Sequence, residues 1–319
     1  MERGHGLMEK PAIRLGRLSQ CTFEQALELR QRGFEGYHDE MRKHYPGFPL
    51  PAAPTPGALD RLLDGFGTEG IRPELSIVGY ADDKPVGFVF IAIKTAEGKK
   101  LAWNGGTGVF PEYRGYGLAK LMMQEAGRVI REQEADRAVL EVVATNVAAV
   151  TAYERGGFRI ADRIIGMTRE GALPSPFLEG DAPEGIRLEY GKPADVSTLS
   201  FYRDKAAWGC MWHNMKSGES LIAYDKEDKA VGYALFRRVR GADGKLKSVV
   251  LRQCETSPDF GDRDRLFRLL LSELYGPYDE PCIRKTGDLS MASPEPIRAL
   301  EEAGFTLNYE QYLMLMEKE

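Results

Sequence analysis

Apolar positions along the first half of the chain fall in short dense runs separated by polar, glycine-bearing stretches. Residues 75–80, 86–94 and 101–109 each carry such a run, and the pattern predicts buried strands there. An opening strand is expected near Ala12, followed by a helix from about Phe23. Residues 101–109 lead into a glycine loop and then a helical pattern running to about residue 134. The stretch AVLEVVAT, 138–145, with adjacent β-branched Val142 and Val143, reads as another buried strand. Asn146 suits the cap of a helix that Gly156-Gly157 ends before a last strand at 159–168. Between the first helix and the strand at 75–80, residues 45–60 (YPGFPLPAAPTPGALD) carry prolines at 46, 49, 51, 54 and 56, which exclude regular helix or interior strand. That segment is either an inert surface insertion or a lid over a binding site.

The pattern then repeats. AVTAYERGGFRIADRIIGMTRE, from Ala149, aligns without gaps on PIRALEEAGFTLNYEQYLMLME, from Pro296, carrying Gly157-Phe158 onto Gly304-Phe305 at an offset of 147. PVGFVFI at Pro85 matches AVGYALF at Ala230, FPEY at Phe110 matches SPDF at Ser257, and AIRLG at Ala12 resembles GIRLE at Gly185. The offset of the first strands is larger, so the first half carries an extra segment, for which the proline stretch is the candidate. Two duplicated domains are expected: a disordered lead-in at 1–10, a first domain at 11–170, a Pro- and Gly-rich linker at 171–185 and a second domain at 186–319.

A length of 319 residues accommodates two domains, and 43% hydrophobic with 29% charged residues is the composition of a soluble globular protein. The net charge of −5, without a basic tract, argues against nucleic acid or an anionic membrane as partner. Cys21, Cys210, Cys254 and Cys282 form no C-x-x-C, so neither a zinc site nor a disulfide framework is expected, and a reducing, cytoplasmic setting fits. The N-terminal MERGHGLMEK lacks the apolar core of a signal peptide and no long apolar run follows, so export and membrane spanning are not expected.

The candidate chemistry lies in VFPEYRGYGLAKLMM, 109–123, which sets Arg114, Gly117 and Ala119 as Arg-x-x-Gly-x-Ala between an apolar run and a helical pattern. Gly115 and Gly117 let a ligand approach the main chain, and free N–H groups in the first turn of the following helix attract an anion. The dinucleotide fingerprint fails because Lys120 takes its third-glycine position, and the P-loop fails for want of Gly-Lys-Ser/Thr. Just upstream, Gly105, Gly106 and Gly108 beside Trp103, Asn104 and Thr107 suggest a bulge or a close ligand approach, with Asn104 or Trp103 facing an acceptor.

Together with Val109, Pro111 and NVAAVTAYERGGF from Asn146, this loop resembles the motifs of the GNAT acyltransferase superfamily, the second segment following its N-x-x-A-x-x-x-Y-x-x-x-G-F pattern. The resemblance implies an α/β chain (α+β mixed sheet) of two tandem GNAT-like domains, each a mostly antiparallel sheet flanked by helices. It implies acetyl-CoA as cosubstrate and no metal. The pyrophosphate would be held by the main chain of Arg114, Gly115, Tyr116, Gly117, Leu118 and Ala119. Val109 and Phe110 would pair with the pantetheine arm, and Asn146 would contact it. Tyr153 would lie near the cofactor sulfur and protonate the departing thiolate. A plain helix cap for Asn146 and a packed aromatic for Tyr153 are the structural alternatives. The implied reaction is direct transfer to a primary amine without a nucleophilic cysteine, and candidates for the base are Glu141 and, near the proline stretch, His38, Asp39, Glu40 and His44.

The second half has lost these features. At the offset of 147, Arg114 falls on Gly261, Gly115 on Asp262, Gly117 on Asp264, Ala119 on Leu266, Asn146 on Ser293 and Tyr153 on Leu300. Carboxylates would stand where a pyrophosphate should bind, so this half is expected to be a degenerate copy that shapes the acceptor site or a homodimer surface. Its WGCMWHNM stretch, 208–215, reads as core or interface rather than a binding wall. The layout is similar to that of acetyltransferases that protect antibiotic producers from their own amine-bearing products, and an acidic protein suits a cationic small-molecule amine. The competing readings are a non-catalytic acetyl-CoA sensor or interaction module, and a protein or peptide amine acetyltransferase.

Overall fold

Every strand of the structure, a computed structural model that describes residues 12–48 and 57–318, joins one thirteen-stranded sheet. The lead-in at 1–10 and the middle of the proline stretch lie outside the described residues. The first half supplies β1 (Ile13–Arg17), β2 (Ile77–Ala81), β3 (Lys84–Ala96), β4 (Lys99–Val109), β5 (Arg137–Val143) and β6 (Arg159–Arg169). The second supplies β7 (Arg187–Gly191), β8 (Glu219–Tyr224), β9 (Ala230–Arg240), β10 (Leu246–Thr256), β11 (Ile283–Thr286), β12 (Leu289–Ser290) and β13 (Thr306–Glu317). Along the sheet the order is β1-β2-β3-β4-β5-β13-β6-β11-β10-β9-β8-β7, with β12 also on β6. Neighbours are antiparallel except β4/β5 and β10/β11. This is the mixed α/β architecture that the pattern predicts, with the mostly antiparallel sheet that the resemblance implies.

The last strand of each half is exchanged. β13 pairs with β5, running from Gln311 opposite Val143 to Glu317 opposite Arg137, while β6 pairs with β11 and β12. The two exchanged strands pair with each other at the centre, where the Tyr309 ring occupies the space that a Cβ on Gly166 would need. The cores follow the sheet. Leu313, Met314, Leu315 and Met316 pack with Phe88, Met122 and Val139 of the first half, and Ile165 and Met167 pack with Leu266, Phe267 and Leu270 of the second.

Helices cover both faces of the first half. α1 (Phe23–Gly33) is held at its start by Thr22, which accepts the Gln25 N–H, and α2 (Tyr37–His44) leads toward the proline stretch. α3 (Ala58–Glu69), which the apolar pattern did not predict, buries Leu62 and sets Phe66 against Phe90 with ring centroids 5.1 Å apart. α1 crosses β4 where neither Gly33 nor Gly108 has a side chain, each backbone standing where the other's Cβ would project. On the opposite face lie α4 (Leu118–Glu132) and α5 (Val147–Arg155), with Leu118 and Met122 seated over Gly79 and Gly87. α6 (Arg263–Tyr275) and α7 (Pro294–Glu302) are their counterparts in the second half.

The repeat register slips at one point. β4 and β10 end at Val109 and Thr256, and α5 and α7 begin at Val147 and Pro294, all at an offset of 147, whereas α4 and α6 begin at Leu118 and Arg263, an offset of 145. The second loop is therefore two residues shorter, and Asp262, not Asp264, takes the place of Gly117 as helix N-cap.

Candidate active site

A gap opens in the sheet of the first half. β4 and β5 are paired from Leu101 to Trp103 against Arg137 to Val139 and then part. The parting coincides with a slip on the other side of β4, where Phe90 stands opposite Gly106 but Ile91 opposite Asn104, leaving Gly105 as the bulged residue. Gly106 has φ +148°, which glycine adopts without strain. Asn104 braces the bulge: its Oδ1 accepts the Gly106 N–H at 3.0 Å and its Nδ2 donates to Thr107 Oγ1 at 2.9 Å. Asn104 is thus turned inward and buried. The Phe110 N–H donates to Val86 O on β3 at 2.9 Å, and because N–H groups alternate sides along a strand, that of Val109 points into the gap.

The loop beyond β4 leaves the start of α4 bare. Gly115 and Gly117 have φ of +84° and +82°, and an added Cβ at either would meet nothing within 4 Å, so the requirement for glycine is conformational and the space above is open. Gly117 is the N-cap, makes no side-chain cap and is followed by no acid in the first turn, so the N–H groups of Leu118, Ala119 and Lys120 keep the positive end of the helix dipole uncovered. Tyr116 is exposed beside them, whereas Phe110 is buried with the Arg32 guanidinium 4.0 Å above its ring, so Phe110 offers the site only its main chain. Arg114 straps the loop down: its Nε donates to Val109 O at 2.9 Å and its Nη2 to Glu35 O at 2.8 Å and Gly33 O at 3.2 Å. Its charge thereby sits at the negative end of α1 as well as beside the glycines.

Two groups flank the gap on opposite faces of the sheet. Tyr153, on α5, is buried on the α4 side with its hydroxyl against that of Thr107, and burial raises its pKa above that of a free phenol. Asn146 caps α5, its Oδ1 accepting the Ala149 N–H at 3.2 Å. Glu141, on β5, points to the other face, where its Oε2 accepts from Trp103 Nε1 at 2.9 Å and its Oε1 from the Trp208 main-chain N–H at 2.5 Å. Trp103 faces Trp208 rather than an open cleft, the two indoles stacking with centroids 5.7 Å apart and planes 2° apart. Residues 206–208, 210 and 211 join the first half's core, so the start of the WGCMWHNM stretch serves as core and interface. Burial, then the nearby Asp288 carboxylate, raises the Glu141 pKa to about 7 against the opposing pull of the two N–H donors. On α2, Glu40 is paired with Lys43 at 2.5 Å on the surface, and the His38 ring lies 5.4 Å from that of Tyr37.

The corresponding places in the second half are filled. Asp262 caps α6 with its own carboxylate, accepting the Arg265 N–H at 3.4 Å. Beside β10, Arg203 is paired with Glu255 at 2.5 Å and donates to Ser293 Oγ at 3.3 Å, while Gln253 donates to the carbonyls of Arg203 and Cys210 at 3.2 and 2.9 Å. Position alone could not announce this plug, because Arg203 lies far from its partners in sequence.

Residues 36–158 match the sequence model of the Acetyltransferase (GNAT) family. A curated relative, N-alpha-acetyltransferase 30 of Schizosaccharomyces pombe (strain 972 / ATCC 24843), is 33% identical over 87 residues, 27% of this chain and 58% of that protein. The chain thus spans little more than half the length of that relative. Among solved structures, a GCN5-related N-acetyltransferase from Sphaerobacter thermophilus superposes with a TM-score of 0.57 at 17% identity over 96% of this chain and 95% of that one. A tandem GNAT protein from the clavulanic acid biosynthesis pathway does so with a TM-score of 0.51 at 14% identity over 95% and 98%. At such identities the likeness is one of fold, and it extends over both halves. Residues 36–158, which hold the bare helix start and the gap between β4 and β5, are thus the part of the chain that is similar to the Acetyltransferase (GNAT) family.

Proposed function

We propose that the chain is an acetyl-CoA-dependent N-acetyltransferase whose first half carries the transfer site and whose second half is a degenerate copy that cannot hold the donor. The observation that carries this reading is the uncapped start of α4 at Gly117 beside a gap flanked by Tyr153 on one face and Glu141 on the other. The open space over Gly115 and Gly117 and the free N–H groups from Leu118 to Lys120 fit a pyrophosphate. When bound, acetyl-CoA supplies an activated thioester.

The chain's own residues then divide the work. The Val109 N–H, directed into the gap, donates to the acyl oxygen as negative charge builds on it. Glu141, with a pKa near neutrality, takes the proton that the attacking amine must lose. Tyr153, kept protonated by burial, gives its proton to the departing thiolate. The N–H donors of Trp103 and Trp208 fix the orientation of the Glu141 carboxylate.

The acceptor in this reading is a primary amine of a small molecule. The carboxylates of Glu141 and Asp288 on one face of the sheet favour an amine that arrives as a cation, which suits a basic antibiotic and a role in its detoxification. Four free cysteines suit a reducing, cytoplasmic setting. A second reading, a peptide N-terminal amine as acceptor, is favoured by the curated N-alpha-acetyltransferase relative. Release of free thiol from acetyl-CoA, measured against aminoglycosides, polyamines, amino acids and short peptides, separates the two. Turnover on one class names the acceptor, and binding of acetyl-CoA without turnover on any of them would replace the enzyme by a sensor.

A further inference from the structure

A cavity of about 660 Å³ lies between the ends of β6, β10, β11 and β13, on the far side of the second half from α6. Its side is fixed by strand alternation: Arg284 sends its Nε to Tyr275 O at the end of α6, 2.9 Å away, so the next residue, Lys285, faces the opposite way. The lining includes Arg169, Arg252 and Lys285 together with the polar side chains of Thr168, Asn308 and Tyr309. None of Glu141, Tyr153 or the loop residues 114–119 belongs to it.

Three cations converge there with little to neutralise them. Among the described residues Lys285 and Arg169 make no ion pair, and the carboxylate nearest Arg252 is that of Asp288, 3.9 Å away and already accepting the Tyr309 hydroxyl at 3.1 Å. Glu170, the acid in the lining, is exposed. The Arg169 Nε is buried without a hydrogen-bond partner, a state that costs free energy unless a ligand supplies the acceptor. Glycines make room for both guanidinium groups: a Cβ at Gly287 would run into Arg252, and one at Gly304 into Arg169. In a protein of net charge −5 such a cationic recess is a local exception.

We propose that this cavity is a second ligand site, separate from the acetyl-transfer centre, for a hydroxylated small molecule that carries a carboxylate or a phosphate group. The cations pair with the oxyanion through charge-assisted hydrogen bonds, Thr168, Asn308 and Tyr309 serve the hydroxyls, and the volume lies in the range of small-molecule pockets.

Isothermal titration of the full chain with inorganic phosphate and with citrate, at low ionic strength, tests this. Saturable binding at one site per chain is expected, weakened about tenfold or more by Lys285→Glu and retained in Gly117→Asp, which blocks the start of α4. Lys285 is exposed, so its replacement leaves the fold intact, as a thermal melt of the variant verifies. Arg252→Gln should weaken binding likewise. Preference for phosphate or for citrate then identifies the ligand's anionic group. No saturable binding, or an affinity unmoved by Lys285→Glu, overturns the proposal, as does binding that Gly117→Asp abolishes while Lys285→Glu spares it.

Discussion

Glu141 Oε1 accepts the main-chain N–H of Trp208 at 2.5 Å, a bond that joins the candidate base of the first half to a segment of the second. The other oxygen takes the Trp103 indole N–H, and the two indoles stack in parallel. Each carboxylate oxygen is therefore held by one donor from either side of the junction. The second half, proposed to be a degenerate copy without a donor site, positions the carboxylate on which the proposed proton transfer depends.

Glu141→Gln should lower kcat/KM by about 100- to 1,000-fold. The sign of the pH dependence follows from the carboxyl pKa, raised to about 7 because burial and Asp288 disfavour the charged form. Below that pH the group already holds a proton and cannot accept one, so kcat/KM should climb as pH rises through about 7. A pH–rate profile of the variant should lack that limb; an unchanged profile would remove Glu141 from the reaction.

Replacing Tyr153 by Phe deletes a hydroxyl that lies against Thr107 and leaves the buried ring in place. We expect kcat to fall by about tenfold or more while the Kd for acetyl-CoA stays nearly constant. Steady-state kinetics beside a binding titration decide it, and a wild-type kcat would leave Tyr153 as packing alone.

At the start of α4 the second half supplies its own control, since Asp262 occupies there the place of Gly117. Gly117→Asp should weaken acetyl-CoA binding by at least about tenfold, because a carboxylate over the first-turn N–H groups repels the pyrophosphate and satisfies the donors. Circular dichroism should show a retained fold, aspartate being among the residues that tolerate the left-handed conformation of φ +82°. In the mirror experiment, Asp262→Ala should destabilise the chain by about 1 kcal/mol through loss of the cap.

A chain ending at residue 170 should not fold. It would lack β13, leaving β5 as an unpaired edge and removing Leu313 to Met316 from the core of Phe88, Met122 and Val139. A cooperative thermal transition in that fragment would show that the exchanged strand is dispensable.

Much of the site is local, and local features are legible along the chain. The strands at β2 to β6 and the helices α4 and α5 follow apolar runs and caps; Gly115 and Gly117 announce themselves because a positive φ needs glycine, and the bulge at Gly105-Gly106 is signalled by the same residue type. Two side-chain placements are not legible along the chain. Asn104 turns inward to Thr107 and Gly106 because the bulge leaves their polar groups to be satisfied, and Arg114 is committed to the carbonyls of Gly33 and Glu35, some eighty residues earlier. The gapless alignment put Asp264 on Gly117 because deleting two loop residues alters no apolar pattern.

The sequence by itself determined a duplicated α/β plan, the glycine loop that leads into α4, and the loss of its glycines in the second copy, since each is written in residue types at short spacing. Tertiary structure alone decided that β13 closes the first half and β6 the second. The two strands are copies that align without gaps, so their apolar patterns fit either position equally, and only the packing of the whole sheet distinguishes them. It also raised the pKa of Glu141, because a carboxyl pKa depends on how deeply the fold buries it and on which groups it brings around it, here Asp288, Trp103 and Trp208, and not on its neighbours along the chain.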